Sequence, residues 1–179
     1  ELQFVPFGLF YVSPCRKIFN IMKLIISANL IAIILSCGAS LGFAEEKKEE
    51  KVDQTVNVTG NDTMQFDVKA FEVKAGSKVK LVFKNVGKIP KIAMGHNVVI
   101  LKKDITAVAF GQKALAGGAN TTNALPDSVK GDVLVNTKLL GPGEMEEILF
   151  TAPTESGDYE YVCTFPGHFA LMRGKMTVK

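Results

Sequence analysis

Short runs in which apolar and polar residues alternate fill most of the chain after residue 54. The clearest is KVKLVFK at 78–84, which places Val79, Leu81 and Phe83 on one side and mainly lysines on the other. Such a period of two is typical of a half-buried strand. Similar short runs recur, separated by turn-forming sequences such as GND, AGS, GPG and SGD, at 56–58, 66–73, 97–101, 148–150, 159–163 and 175–178. Together they predict an all-β sandwich or barrel of about 125 residues.

One segment departs from this alternation. Residues 104–116 tolerate a helix, with Asp104 as a candidate N-cap and Gly117-Gly118 as a stop signal. We predict a helix or partly helical flap here, followed by a polar loop that runs to Pro126.

The N-terminal part has the pattern of an export signal. In residues 22–44, Met22 and Lys23 precede an apolar run, and small residues follow it. The run is short for a membrane span, although an uncleaved anchor is the alternative. We favour cleavage after Ala44; Ile34-Leu35-Ser36-Cys37 resembles a lipobox, which would lipidate Cys37. Either route predicts a periplasmic protein, held at a membrane only if Cys37 carries lipid.

Three segments therefore precede the domain, which we place at 54–179. Residues 1–21 are interpreted as an over-extended gene start, 22–44 as a signal peptide and 45–53 as a charged linker.

The charge balance argues against nucleic-acid binding. The 179 residues carry 21 Lys and Arg and 18 Asp and Glu, a net charge of +3. Three of the bases and one acid fall within residues 1–44, so the remainder has 18 bases and 17 acids. No basic field of the kind that binds nucleic acid results.

Few metal-binding side chains are available. The chain has two histidines, His96 and His168, and Cys163 is the only cysteine after residue 44. An internal disulfide of the domain is therefore excluded. Two imidazoles are also too few for a three-histidine zinc site or a multi-centre copper oxidase.

These residues lie in two compact motifs. CTFPGHFALM at 163–172 spaces Cys163, His168 and Met172 as C-x4-H-x3-M, and MGHN at 94–97 contains His96. One thiolate, two imidazoles and one thioether are the ligands of a blue-copper electron-transfer site. Each residue alone is more often an ordinary core or surface residue, but their joint placement favours a metal site.

The two motifs resemble those of the azurins, members of the cupredoxin family of type 1 blue copper proteins. The resemblance covers about 125 residues and implies a Greek-key sandwich of about eight strands with one helical flap. It implies one copper ion per chain, bound by His96, Cys163 and His168 with Met172 as axial ligand. The Gly95 carbonyl oxygen would be a second, distant axial contact. Asn97 and the Phe165 backbone N–H would hydrogen-bond the thiolate.

The resemblance also implies an apolar partner surface around His168. Phe169 is expected to enlarge this surface. Partners would be redox proteins such as c-type cytochromes or periplasmic reductases and peroxidases. We call the matching residues the apolar patch: Met64, Ile89, Met94, Pro166, Phe169, Ala170 and Leu171.

The sequence thus predicts an exported one-electron carrier that is not itself an enzyme. A copper-storage or copper-chaperone protein with the same ligands is the alternative. An oxidase or reductase subunit is disfavoured, because a dinuclear copper centre needs two bridging cysteines. A metal-free binding module would leave the ligand set unexplained.

Overall fold

The computed structural model describes residues 51–179, in which nine strands form two sheets. The predicted leader and most of the charged linker lie outside the described residues. The strands are β1 (Gln54–Asn61), β2 (Gln65–Phe66), β3 (Ala70–Val73), β4 (Lys78–Asn85), β5 (Val99–Leu101), β6 (Val133–Asn136), β7 (Met145–Thr151), β8 (Gly157–Val162) and β9 (Arg173–Val178). The helices are α1 (Lys91–Met94) and α2 (Ala107–Ala116), with 3₁₀ turns at Asp127–Asp132 and His168–Ala170.

The strand order is β2-β1-β4-β7 in one sheet and β3-β9-β8-β5-β6 in the other. Two pairs are parallel, β1 with β4 and β3 with β9, and the remaining pairs are antiparallel. Parallel neighbours require crossover connections, so the chain passes between the sheets rather than forming successive hairpins. The predicted all-β sandwich is confirmed.

The core lies between the sheets and follows the predicted alternation. Val79, Leu81 and Phe83 of β4 are fully buried, and Tyr161 and Met176 meet them from the second sheet. A smaller apolar cluster lies under α2 and includes Phe110. One face of each central strand is therefore buried against the facing sheet.

Helix α2 starts later than the predicted Asp104. Asp104 has a φ of +65°, outside the helical region, and Thr106 is the N-cap. The Thr106 hydroxyl accepts a hydrogen bond from Ala109 N–H, and Glu160 of β8 accepts one from Ala107 N–H. A carboxylate from another strand thus helps to set the helix start, which local pattern cannot reveal. The Gly117 stop is confirmed, since Gly117 is the C-cap.

Two short elements, α1 and β6, were not predicted. Both have few buried residues, so neither shows a clear hydrophobic period. Within residues 51–179 no helix has the length and apolar character needed to cross a membrane.

Candidate metal centre

Cys163 follows directly after β8 and is fully buried. Its backbone N–H donates to the Met172 carbonyl oxygen at 2.9 Å, which ties the two ends of the 163–172 loop together. Because this bond continues the pairing of β8 with β9, the sheet itself fixes where the cysteine points.

The loop between these residues is a tight turn. Gly167 has a φ of +84°, a conformation that glycine adopts without a steric penalty. His168 N–H donates to the Phe165 carbonyl oxygen, and the His168 carbonyl oxygen accepts from Leu171 and Met172 N–H. These bonds return the chain to β9 and place the His168 side chain over Cys163.

His96 comes from the segment between α1 and β5. An isolated antiparallel bridge joins it to Leu140, with His96 N–H to Leu140 O at 3.0 Å and Leu140 N–H to His96 O at 2.7 Å. The buried Asn85 side-chain amide also donates to the Leu140 carbonyl oxygen. The backbone that carries this imidazole is therefore held from β4 and from the loop before β7.

Both imidazoles face the thiol through Nδ1. Cys163 Sγ lies 3.9 Å from His96 Nδ1 and 3.7 Å from His168 Nδ1, and one donor atom from each residue lies within 4.8 Å of the others. Bonds of about 2.1 Å to nitrogen and about 2.3 Å to sulfur at a trigonal angle separate two donors by roughly 3.8 Å. The spacing of the three side chains therefore fits a trigonally bound metal ion.

The electrostatics of the site favour a cation over protons. Burial lowers the pKa of His96, and burial together with the neighbouring His96 lowers the pKa of His168 to about 4. Burial also raises the pKa of Cys163 to about 12, against the backbone hydrogen bonds from Asn97 and Phe165. The imidazoles thus keep their lone pairs at neutral pH, and a bound cation supplies the charge that stabilises the thiolate.

A buried amide clamp joins the two ligand-bearing segments. Asn97 Nδ2 donates to Thr164 Oγ1 at 2.9 Å, and Asn97 Oδ1 accepts from Thr164 N–H at 2.9 Å. Each partner is the residue after a predicted ligand, His96 or Cys163. This Asn97–Thr164 clamp fixes the distance between the ligands; the sequence analysis did not identify Thr164.

Met172 and Gly95 lie beside this group. Met172 is fully buried, and a Cβ at Gly60 would meet its Cε at 2.6 Å, so Gly60 leaves room for the thioether. Gly95 is buried, and a Cβ there would meet the Lys91 carbonyl oxygen at 2.8 Å. His96 Nε2 is buried and has no hydrogen-bond partner among the described residues. The nearby Asn61 backbone raises the pKa of the His96 imidazole, but by less than burial lowers it.

Part of the apolar patch is exposed at this end of the molecule. Leu171 is 58% exposed and Ile89 37%, while Met64 and Pro166 are half-buried. The turn that contains Met64 meets the Ile89 segment, because Asp62 accepts hydrogen bonds from Lys88 and Ile89 N–H.

Ile92, 57% exposed, is a further large apolar residue on α1, the helix that ends at the patch member Met94. Ile92 was not among the predicted patch residues, although it lies between Ile89 and Met94 in the chain.

Phe169 differs from the expectation that it would enlarge the patch. It is half-buried and packs against the apolar cluster under α2. A Cβ at Gly111 of α2 would overlap Phe169, so the ring lies directly on the helix. In the 3₁₀ turn, successive side chains point about 120° apart, so His168 and Phe169 face different neighbours.

Comparison with known proteins matches the sequence of this chain to a family model. Residues 52–179 match the family model described as copper binding proteins, plastocyanin/azurin family. Azurin of Alcaligenes faecalis is 42% identical over 127 residues, which cover 66% of this chain and 93% of that protein. Outer membrane protein H.8 of Neisseria gonorrhoeae is 42% identical over 123 residues, 68% of this chain, and the match spans 65% of the H.8 protein.

Solved structures that are similar to this chain include two auracyanins. Auracyanin of Roseiflexus castenholzii superposes with a TM-score of 0.61 at 32% identity, covering 72% of this chain and 99% of that one. Auracyanin A of Chloroflexus aurantiacus, described as a "blue" copper protein, gives 0.59 at 31% identity, with 70% and 98% covered.

Proposed function

Because this chain belongs to the plastocyanin/azurin family of copper-binding proteins, we propose that it is an exported carrier of single electrons rather than an enzyme. The observation that carries the proposal is the buried Cys163 thiol between two imidazole Nδ1 atoms at 3.7 and 3.9 Å. That donor set is the one that blue-copper electron-transfer sites use.

We propose that His96, Cys163 and His168 would hold the copper ion, and that Met172 and the Gly95 carbonyl oxygen would be its further contacts. Met172 lies just before β9, is fully buried, and accepts a hydrogen bond from Cys163 N–H through its carbonyl oxygen. This placement supports an approach of the thioether to the site. The Asn97 and Phe165 N–H groups direct their hydrogen bonds at the sulfur, where they would orient the thiolate and tune its donor strength.

Copper bound here would supply one-electron chemistry by alternating between Cu(II) and Cu(I). The chain's part is to hold the donors in one arrangement and to exclude water. The Asn97–Thr164 clamp and the His96–Leu140 bridge tie the ligand segments to the sheets, so the donors need little movement when the charge changes. The near-complete burial of Cys163 and His168 keeps solvent out.

We propose that the apolar patch, without Phe169 and with Ile92 added, is where redox proteins such as c-type cytochromes or periplasmic reductases and peroxidases dock. Its exposed members Leu171, Ile89 and Ile92 carry no charge, and a small apolar contact suits a brief encounter. An exported location is supported by the leader-like pattern at 22–44 and by the relative named outer membrane protein H.8.

Repeated redox cycling tests this function against copper storage. The copper-loaded protein is expected to show an intense visible band that dithionite bleaches and ferricyanide restores, with one copper per chain retained over many cycles. Metal analysis after desalting at each stage measures the retention. Loss of the metal on reduction would instead support a storage or chaperone role, and a protein that binds no copper would contradict both.

Replacing Leu171 by lysine tests the patch. We expect the rate of electron self-exchange to fall about 10-fold or more at low salt, because two copies would then meet lysine against lysine. Leu149→Lys is the matched control, since Leu149 on β7 is 51% exposed against 58% for Leu171. NMR line broadening in mixtures of oxidised and reduced protein gives both rates. Equal rates in the two variants would remove the patch from the docking surface.

A further inference from the structure

A glycine lies in the middle of α2, where alanine would be the better helix former. Gly111 is buried, with Phe110 and Ala114 as buried neighbours on the same helix. The residue therefore needs a reason other than the helix.

The neighbour that requires this glycine is Phe169. A Cβ at Gly111 would lie 2.7 Å from Phe169 Cδ1 and closer still to its Cβ and Cγ. The atoms that would clash include Phe169 Cβ, which is fixed to the backbone and cannot rotate away. Gly111 thus forms a recess on α2 that receives the Phe169 ring.

The helix that bears the recess is itself tied to the strand that carries Cys163. Glu160 of β8 accepts the hydrogen bond of Ala107 N–H at 2.7 Å, at the first turn of α2. Val162, the residue before Cys163, belongs to the apolar cluster under the helix. Helix α2 therefore spans from the cysteine strand to the histidine loop.

The loop side of the contact reaches His168 through one peptide bond. His168 and Phe169 belong to the same 3₁₀ turn, and the His168 carbonyl oxygen accepts from Leu171 and Met172 N–H. The Phe165 ring lies 4.5 Å from the His168 ring, centroid to centroid. A displacement of Phe169 must therefore move the turn, and with it the imidazole.

We propose that Gly111 and Phe169 form a brace that positions His168 against Cys163 from outside the metal centre. Gly111 is a positioning residue: it touches neither donor atom, and it acts through Phe169. The inference rests on the proposed copper function and adds to it a contact that controls the geometry of one ligand.

Gly111→Ala is the direct test. The added methyl group must push Phe169 outward, so we expect a shifted reduction potential, a shifted visible band and about a 10-fold higher copper dissociation constant, the lower end of the range for positioning partners of ligands. Gln112→Ala, at the exposed next position of α2, is the matched control for helix propensity. It should leave all three values unchanged.

The double variant separates positioning from general destabilisation. Phe169→Gly removes Cβ together with the ring, so in that background the clash is absent and Gly111→Ala should shift neither the potential nor the band. Equal shifts with and without Phe169, or no shift in Gly111→Ala, would overturn the brace. If Gly111→Ala does not fold, Phe169→Ala alone decides: a shifted potential supports the brace and an unchanged one overturns it.

A copper-free readout keeps the two proposals distinguishable. The His168 imidazole NMR resonances of the copper-free protein should move in Gly111→Ala and stay in place in Gln112→Ala. If the unsubstituted protein had no reversible copper couple, the carrier function would fail, while these resonances would still test the brace.

Discussion

Replacing Cys163 by serine is expected to abolish the intense visible absorption of the copper-loaded protein and its reversible one-electron couple. The band needs a thiolate donor, and Cys163 is the only cysteine in residues 51–179. A serine hydroxyl in the same fully buried position is a poor donor to copper, because soft thiolate ligands favour Cu(I). We expect copper affinity to fall more than about 100-fold, beyond the cost of losing an outer partner of a ligand.

Two variants serve as controls for the loss of the sulfur. Met172→Leu removes the thioether but keeps both imidazoles and the thiolate, so the visible band should persist while the reduction potential changes. Met176→Leu removes a thioether that is equally buried in β9, within the core between the sheets, and should change neither. Absorption spectra and voltammetry of the three proteins decide. A blue, redox-active Cys163→Ser protein would contradict the ligand assignment.

The second large effect is expected from Asn97→Leu, which removes the Asn97–Thr164 clamp. Leucine has the same branched skeleton of side-chain heavy atoms as asparagine, but it leaves the Thr164 N–H and hydroxyl without their buried partner. Each of these two orphaned polar groups costs about 1–3 kcal/mol, so the copper-free protein should lose about 2–6 kcal/mol of its free energy of unfolding. The clamp also holds the residues that follow His96 and Cys163 at a fixed distance from each other. Its loss should therefore shift the reduction potential of the copper-loaded protein as well.

Urea unfolding of the copper-free proteins measures this loss. Asn136→Leu is the matched control, because Asn136 is exposed on β6 and, within residues 51–179, its side chain bonds only to the adjacent Thr137 carbonyl oxygen. Its effect should stay within about 0.5 kcal/mol. If both variants lost the same stability, the clamp would have no special part in holding the two ligand segments together.

The strand pattern was readable because burial imposes it on each strand separately. A strand with one face in the core must alternate, as Val79, Leu81 and Phe83 do, whatever its neighbours are. This reasoning does not apply to elements that bury few side chains. The side chains of β6 are only partly buried, and α1 buries no residue, so neither segment needed a periodic pattern.

The donor set was readable for a chemical reason. Thiolate, imidazole and thioether side chains are few in this chain, and three of the four candidates lie within ten residues of each other. These three residues lie close together in the sequence around Pro166 and Gly167, so their spacing can be recognised without knowledge of the fold. The start of α2 could not be predicted from the local sequence, because Glu160, on a strand 53 residues away, accepts the hydrogen bond of Ala107 N–H.

The sequence by itself determined the fold class, the copper-binding family and the candidate ligand types. The fold class follows from the local period, the ligand types follow from the compact motifs, and the family follows from the resemblance of those motifs to known ones. Only the tertiary structure decided where Phe169 goes, which residue clamps Asn97 and how far the donors lie from one another. Those facts depend on pairs distant in the chain, Gly111 with Phe169, Asn97 with Thr164 and His96 with Cys163. Such contacts arise when the sheets pack, and a linear pattern records only the tendency of each partner to be buried.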